Sequence, residues 1–116
     1  MFERVLAIIR SVDEWLDAEV AAVYKDQPLA QDWARVCKGQ EEQGESVAEL
    51  ILATGQNPRK GTDPAAQDRL LAELADTAVT AMFAIQHFTK DESQTGYVIM
   101  DALEKAAARA ADAGYE

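Results

Sequence analysis

Apolar residues recur along this chain at spacings of three and four, the period of one face of an α-helix. In the first stretch they fall at Val5, Ile8, Ile9, Val12, Leu16, Val20 and Val23, which predicts a helix over roughly Phe2–Tyr24 that stops near Pro28. A second stripe, Trp33, Val36, Val47, Leu50 and Ile51, predicts a helix over about Leu29–Thr54, ended by Gly55. The loop Gln56–Thr62 is the clearest break. Beyond it Asp63 reads as an N-cap with Pro64 at the first helical position, opening a third helix that runs to about Lys90. A fourth follows Asp91, carries Val98, Ile99, Ala102, Leu103 and Ala106, and ends at Gly114. No run alternates with period two between hairpin turns, so no strand is expected. Three short connections between four helices favour antiparallel neighbours, and the expected fold is an all-α four-helix bundle formed by residues 1–116 as one domain.

The polar faces complicate that picture. At about 100° per residue, the core stripe of the third helix is Leu71, Leu74, Ala75, Ala78, Met82 and Ile85, with Glu73 and Asp76 roughly opposite. Yet the acidic side continues into Ala72, Thr80, Phe83 and Ala84, which a purely solvent-facing stripe would not choose. This helix is therefore expected to meet something on its second side, either another helix or another copy of the chain. The second helix behaves alike: Lys38, Glu42, Glu45 and Glu49 line one stripe, flanked by Ala34 and Leu52. Trp33, on the apolar stripe, is assigned to the core. Trp15, beside Glu14 and Asp17, suits a subunit contact or a base pocket equally well.

Charge narrows the range of partners. With 21 acidic against 11 basic residues the net charge is -10, which disfavours direct docking on a phosphate backbone or an anionic membrane. An anionic substrate would need a metal bridge or a local patch of Lys and Arg. The lone cysteine, Cys37, cannot form an internal disulfide, and without a Cys or His partner at metal spacing it reads as a small apolar residue. Phe2–Ile9 is too short, and with Glu3 and Arg4 too charged, for a signal peptide or membrane span. A cytoplasmic protein is expected.

Two acidic words carry the candidate chemistry: Glu41-Glu42-Gln43-Gly44-Glu45, and Glu73-Leu74-Ala75-Asp76. Each places two carboxylates three residues apart, about 60° around a helix, so each pair shares a face. Two such helices side by side gather four carboxylates that repel one another unless a cation sits among them. Oxygen-only ligation points to magnesium, with manganese as a close relative. The same words, over about Lys38 to Phe88, resemble the signature of the MazG-like all-alpha nucleoside triphosphate pyrophosphohydrolases: a Glu-x-x-Glu pair and a Glu-x-x-Asp pair on consecutive helices.

That resemblance implies a homodimer or dimer of dimers that uses magnesium to split a nucleoside triphosphate between its α and β phosphates, giving a nucleoside monophosphate and pyrophosphate. Residue by residue it places Glu42, Glu45, Glu73 and Asp76 on the metal-binding positions. Glu41 or Glu49 is left to orient or deprotonate the water, and Glu49, on the stripe of Glu45, is the better placed. Lys38 matches the lysine that precedes the first acidic word in this family, and an ion pair with Glu42 four residues on is the competing reading. Lys105 and Arg109 resemble basic residues near the end of family members. Arg59 and Lys60, in the only substantial loop, either close over a triphosphate or are simply exposed.

Arg69 is read as a partner for Glu73. His87, the sole histidine, lies about 16 Å beyond Asp76 along the helix axis and is expected to be structural or exposed. A di-iron carboxylate bundle would call for two Glu-x-x-His motifs, and the chain has none. The serious alternative is a non-catalytic acidic helical module for interaction or regulation, built on the same scaffold.

Overall fold

The computed structural model describes residues 1–25 and 27–115, which form four α-helices: α1 Phe2–Val23, α2 Pro28–Thr54, α3 Ala66–Thr89 and α4 Glu92–Asp112. No strand occurs among the described residues. Proline opens α2, where its missing N–H has no helical partner to lose. Gly55 closes the same helix in the left-handed region at φ 68°, returning its N–H to the Ile51 carbonyl. Asp91 caps α4 by accepting the Gln94 N–H at 2.9 Å. The expected start of α3 is displaced by two residues. Asp63 still gathers the entering N–H groups, its Oδ1 accepting from Ala65 at 2.9 Å and its carbonyl from Ala66 at 3.1 Å, but Pro64 and Ala65 remain in the turn.

α2 and α3 form a long antiparallel hairpin. The Asp63 N–H donates to the Leu52 carbonyl at 3.0 Å near its tip, Ser46 and Thr77 hydroxyls meet at 3.4 Å midway, and Arg35 donates to the Phe83 carbonyl at 2.9 Å farther along. α1 lies against the C-terminal half of α3, and the first turns of α4 cross α1 where buried Gly96 meets Leu6 and Phe2. α4 touches α1 and α3 but not α2 among the described residues. Past Asp101 every described α4 residue is exposed.

The faces differ from those the hydrophobic stripes predict. α2 and α3 meet through Arg35, Glu42 and Ser46 against Glu73, Thr77 and Thr80, the polar and acidic sides of both helices. The stripes assigned to the core point away: Trp33 is 64% exposed, Leu71 58% and Leu74 49%, with Val36, Val47 and Leu50 also exposed. Periodicity identifies a face that wants cover, not what covers it. Within one chain α1 packs on the acidic side of the hairpin, against Ala34, Lys38, Thr80 and Phe83, so the apolar stripes stay bare. Cys37, read as a small apolar residue, is likewise exposed.

Candidate metal centre

The antiparallel hairpin sets Glu42 of α2 opposite Glu73 and Asp76 of α3, and carboxylate oxygens of all three lie within 4.8 Å of one another. Glu42 is buried, Glu73 half-buried and Asp76 exposed. The fourth expected ligand, Glu45, is exposed and hydrogen-bonds Glu73. That bond, then burial, then the charges of Glu45, Asp76 and Glu42 raise the Glu73 carboxyl above its ordinary value. Carboxylates gathered this closely repel one another, and a cation among them would offset that repulsion. Glu73 Oε2 is buried with no hydrogen-bond partner. A buried oxygen lone pair facing like charges is stabilised by a hard cation, and an all-oxygen donor set on two helices suits one that keeps several waters, as magnesium does. The residues present fit such an ion.

The other expected residues are distributed as follows. Glu49 accepts a hydrogen bond from Arg69 Nε at 2.8 Å, and Arg69 Nη2 reaches Asp63 at 2.6 Å, so Arg69 bridges Glu49 and Asp63 instead of pairing with Glu73. Lys38 Nζ stands 3.1 Å from Glu41 and 3.4 Å from Glu42, which raises its ammonium above the ordinary lysine value, chiefly through the bond to Glu41. Both candidate bases, Glu41 and Glu49, are thus ion-paired. Arg59 and Lys60 are exposed in the turn at the hairpin tip, their backbone N–H groups donating to Asn57 Oδ1 and O. Lys105 pairs with Asp101 at 2.8 Å, and Arg109 sits in the last turn of α4. Those two lie on the exposed stretch of α4, apart from the acids.

Beside the acidic cluster, on the side covered by α1, opens a cavity of about 280 Å³. Val12, Trp15, Leu16 and Val20 of α1 face Ala34 and Phe83 across it, and Lys38 stands at its wall, linking it to Glu42. Trp15, left open between two roles by the sequence, lines this cavity and is 61% exposed.

Sequence reasoning missed a second charged cluster where α1, α2 and α3 meet. Arg35 is buried between Asp13 and Asp17, at 2.8 and 2.7 Å. Lys90 adds a second cation, 3.1 Å from Asp13 and in contact with Asp17. His87 places Nδ1 2.8 Å from Asp17 and Nε2 2.7 Å from Asp32, so it holds a structural position joining three helices. Burial pushes the Asp17 carboxyl up, but hydrogen bonds from Lys90 and His87 outweigh it, and the net shift is downward. Asp13, Asp17 and His87 also come close enough to chelate, but Arg35 and Lys90 already supply two positive charges there, making this a compensated ion network. A signal was present: Asp13 falls on the apolar stripe of α1, four after Ile9 and three before Leu16, where an acid requires a buried partner.

Comparison with family models, with curated proteins and with solved structures finds no match to this chain. No described helix is long and apolar enough to cross a membrane.

Proposed function

We propose that this chain is a MazG-like, magnesium-dependent nucleoside triphosphate pyrophosphohydrolase that works as a dimer and releases a nucleoside monophosphate and pyrophosphate, with manganese as a substitute ion. The observation that carries this reading is the convergence of Glu42, Glu73 and Asp76 within 4.8 Å, with a buried, unpartnered Glu73 oxygen among them. In a chain of net charge -10, an acidic cluster of this kind is suited to meet a polyphosphate only through a cation.

Glu42, Glu45, Glu73 and Asp76 would hold the ion, which when bound neutralises phosphate charge and lowers the pKa of a bound water. Lys38 sits on the boundary between cluster and cavity, where its ammonium can turn from Glu41 toward a phosphate. The apolar cavity under Trp15 supplies a place for the base, excluding water from it by burial against Val12, Leu16 and Phe83. Glu49 can accept a proton from water only by exchanging its bond with Arg69, and Glu41 only by releasing Lys38. Arg59, Lys60, Lys105 and Arg109 reach a triphosphate in this scheme only through movement of the hairpin tip or across a second chain.

Pyrophosphate release from a panel of ribo- and deoxynucleoside triphosphates, with magnesium present or chelated, tests the reading. Magnesium-dependent release from at least one of them is expected. A folded protein that releases none would transfer the acidic cluster to the alternative reading, a non-catalytic interaction or regulatory module.

A further inference from the structure

We infer that the apolar face of the α2–α3 hairpin is the interface with a second copy of this chain, the two hairpins packing face to face about a two-fold axis. This rests on the dimeric part of the reading above and specifies its surface, and it is independent of the proposed hydrolysis.

Counted from Glu42, residues Leu50, Val36 and Val47 lie roughly 80–140° around α2; counted from Glu73, Leu74, Ala78 and Leu71 lie roughly 100–160° around α3. The rotation has the same sense on both helices. Because the helices are antiparallel, equal rotations carry both stripes to the same side of the hairpin, opposite the side where the acids and the Arg69–Glu49 pair lie. The hairpin therefore has one acidic side and one apolar side. At the far end of the apolar side Leu29, Trp33, Val36 and Phe88 line a groove of about 300 Å³, wide enough to receive side chains of an opposing helix.

The area identifies the occupant. The chain exposes 8308 Å², whereas a compact monomer of 12.7 kDa exposes about 6200 Å². The excess of about 2100 Å² is what one partner contributes to an obligate homodimer, whose interfaces bury about 2000–5000 Å² in total. The exposed part of α4 adds to that excess, but it is alanine and charged residues past Leu103, whereas the hairpin face carries Trp33, Val36, Val47, Leu50, Leu71 and Leu74. A self-complementary apolar face suits an isologous contact. Such a contact would leave both acidic sides turned outward, giving two separate sites per dimer.

Light-scattering mass and hydroxyl-radical footprinting test the inference without metal or nucleotide, so a failure to hydrolyse leaves it standing. The native protein is expected at twice 12.7 kDa or a multiple of it. Leu74→Glu should raise the dissociation constant about 30-fold or more, and Tyr97→Glu, a control on α4, should leave it unchanged. In the native chain, oxidation of Leu50 and Leu74 should fall as protein concentration rises, a reading that does not require Leu74→Glu to fold. A native mass of one chain, Leu50 and Leu74 oxidised equally at all concentrations, or dissociation by Tyr97→Glu and not by Leu74→Glu would each overturn it.

Discussion

Arg35 ties three helices together, its guanidinium buried against two carboxylates and a carbonyl contributed by the other two helices at that junction. Removing it leaves Asp13 buried without its guanidinium partner. Arg35→Ala should lower unfolding free energy in urea by about 3–5 kcal/mol, while Lys105→Ala, on an exposed i,i+4 pair, should stay within about 0.5 kcal/mol. Glu73 presents the opposite case, a side chain placed against stability. Its carboxyl titrates above 4.5 in the folded chain, so between 4.5 and that raised value the native state binds more protons than the unfolded one. Stability contributed by this group is complete below 4.5 and is lost as pH rises through the folded value. Glu73→Gln should therefore gain on the native protein as pH goes from about 4 to about 7, read as a widening difference in urea midpoint. Magnesium should raise the midpoint of the native protein and leave that of Glu73→Gln in place, with turnover of the variant down about 100-fold or more. A variant that keeps its activity would remove Glu73 from the site.

Between helices, Gly96 sets how closely α4 crosses α1. A Cβ added there would stand 3.0 Å from Leu6 Cδ1 and 3.4 Å from Phe2 Cε1. The tip of Leu6 can yield to a methyl group, and alanine gains about 1 kcal/mol of helix propensity, so Gly96→Ala should stay near the native stability. A branched side chain has no such room. Gly96→Val should destabilise by about 1–3 kcal/mol, and equal urea midpoints for the two variants would remove the close crossing from the account. Helix limits were legible in the chain because punctuation residues act locally: Pro28, Gly55 and Asp91 do in the structure what their chemistry dictates in any context. The faces were half legible: Thr80 and Phe83 beside the acids marked the second side of α3 as one that meets another helix, as α2 does, but the apolar stripe was misassigned to the core. Leu71 and Leu74 mark an apolar side of α3 whichever neighbour it has, and which helix meets the side of Glu73, Thr77 and Thr80 could not be read, since their fit depends on Ser46 and Glu42 from a helix about thirty residues away. The acidic words were legible as facing pairs once the hairpin was assumed. The Asp13–Arg35–Asp17 cluster was not, because three helices must be placed before its charges meet.

The whole molecule is flat and open, 46 × 44 × 24 Å, with a radius of gyration of 17.4 Å where a compact chain of its length has about 13 Å. Only Ile9 and Ala66 are fully buried apolar residues among those described, while polar and charged groups occupy most of the other buried positions. Polar contacts of this kind fix geometry more than they stabilise it, since each replaces a bond to water. With so little apolar surface buried within the chain, the inferred dimer would supply part of the folding free energy through the bare side of the hairpin. In such a dimer folding and association are one equilibrium. Each tenfold dilution should cost about 1.4 kcal/mol per mole of dimer, so the melting temperature should fall steadily as the protein is diluted. Leu74→Glu should lower it at every concentration and flatten its dependence on dilution. Calorimetry over a hundredfold range of concentration decides the matter: a melting temperature independent of concentration would mean that the single chain is self-sufficient despite its exposed stripes.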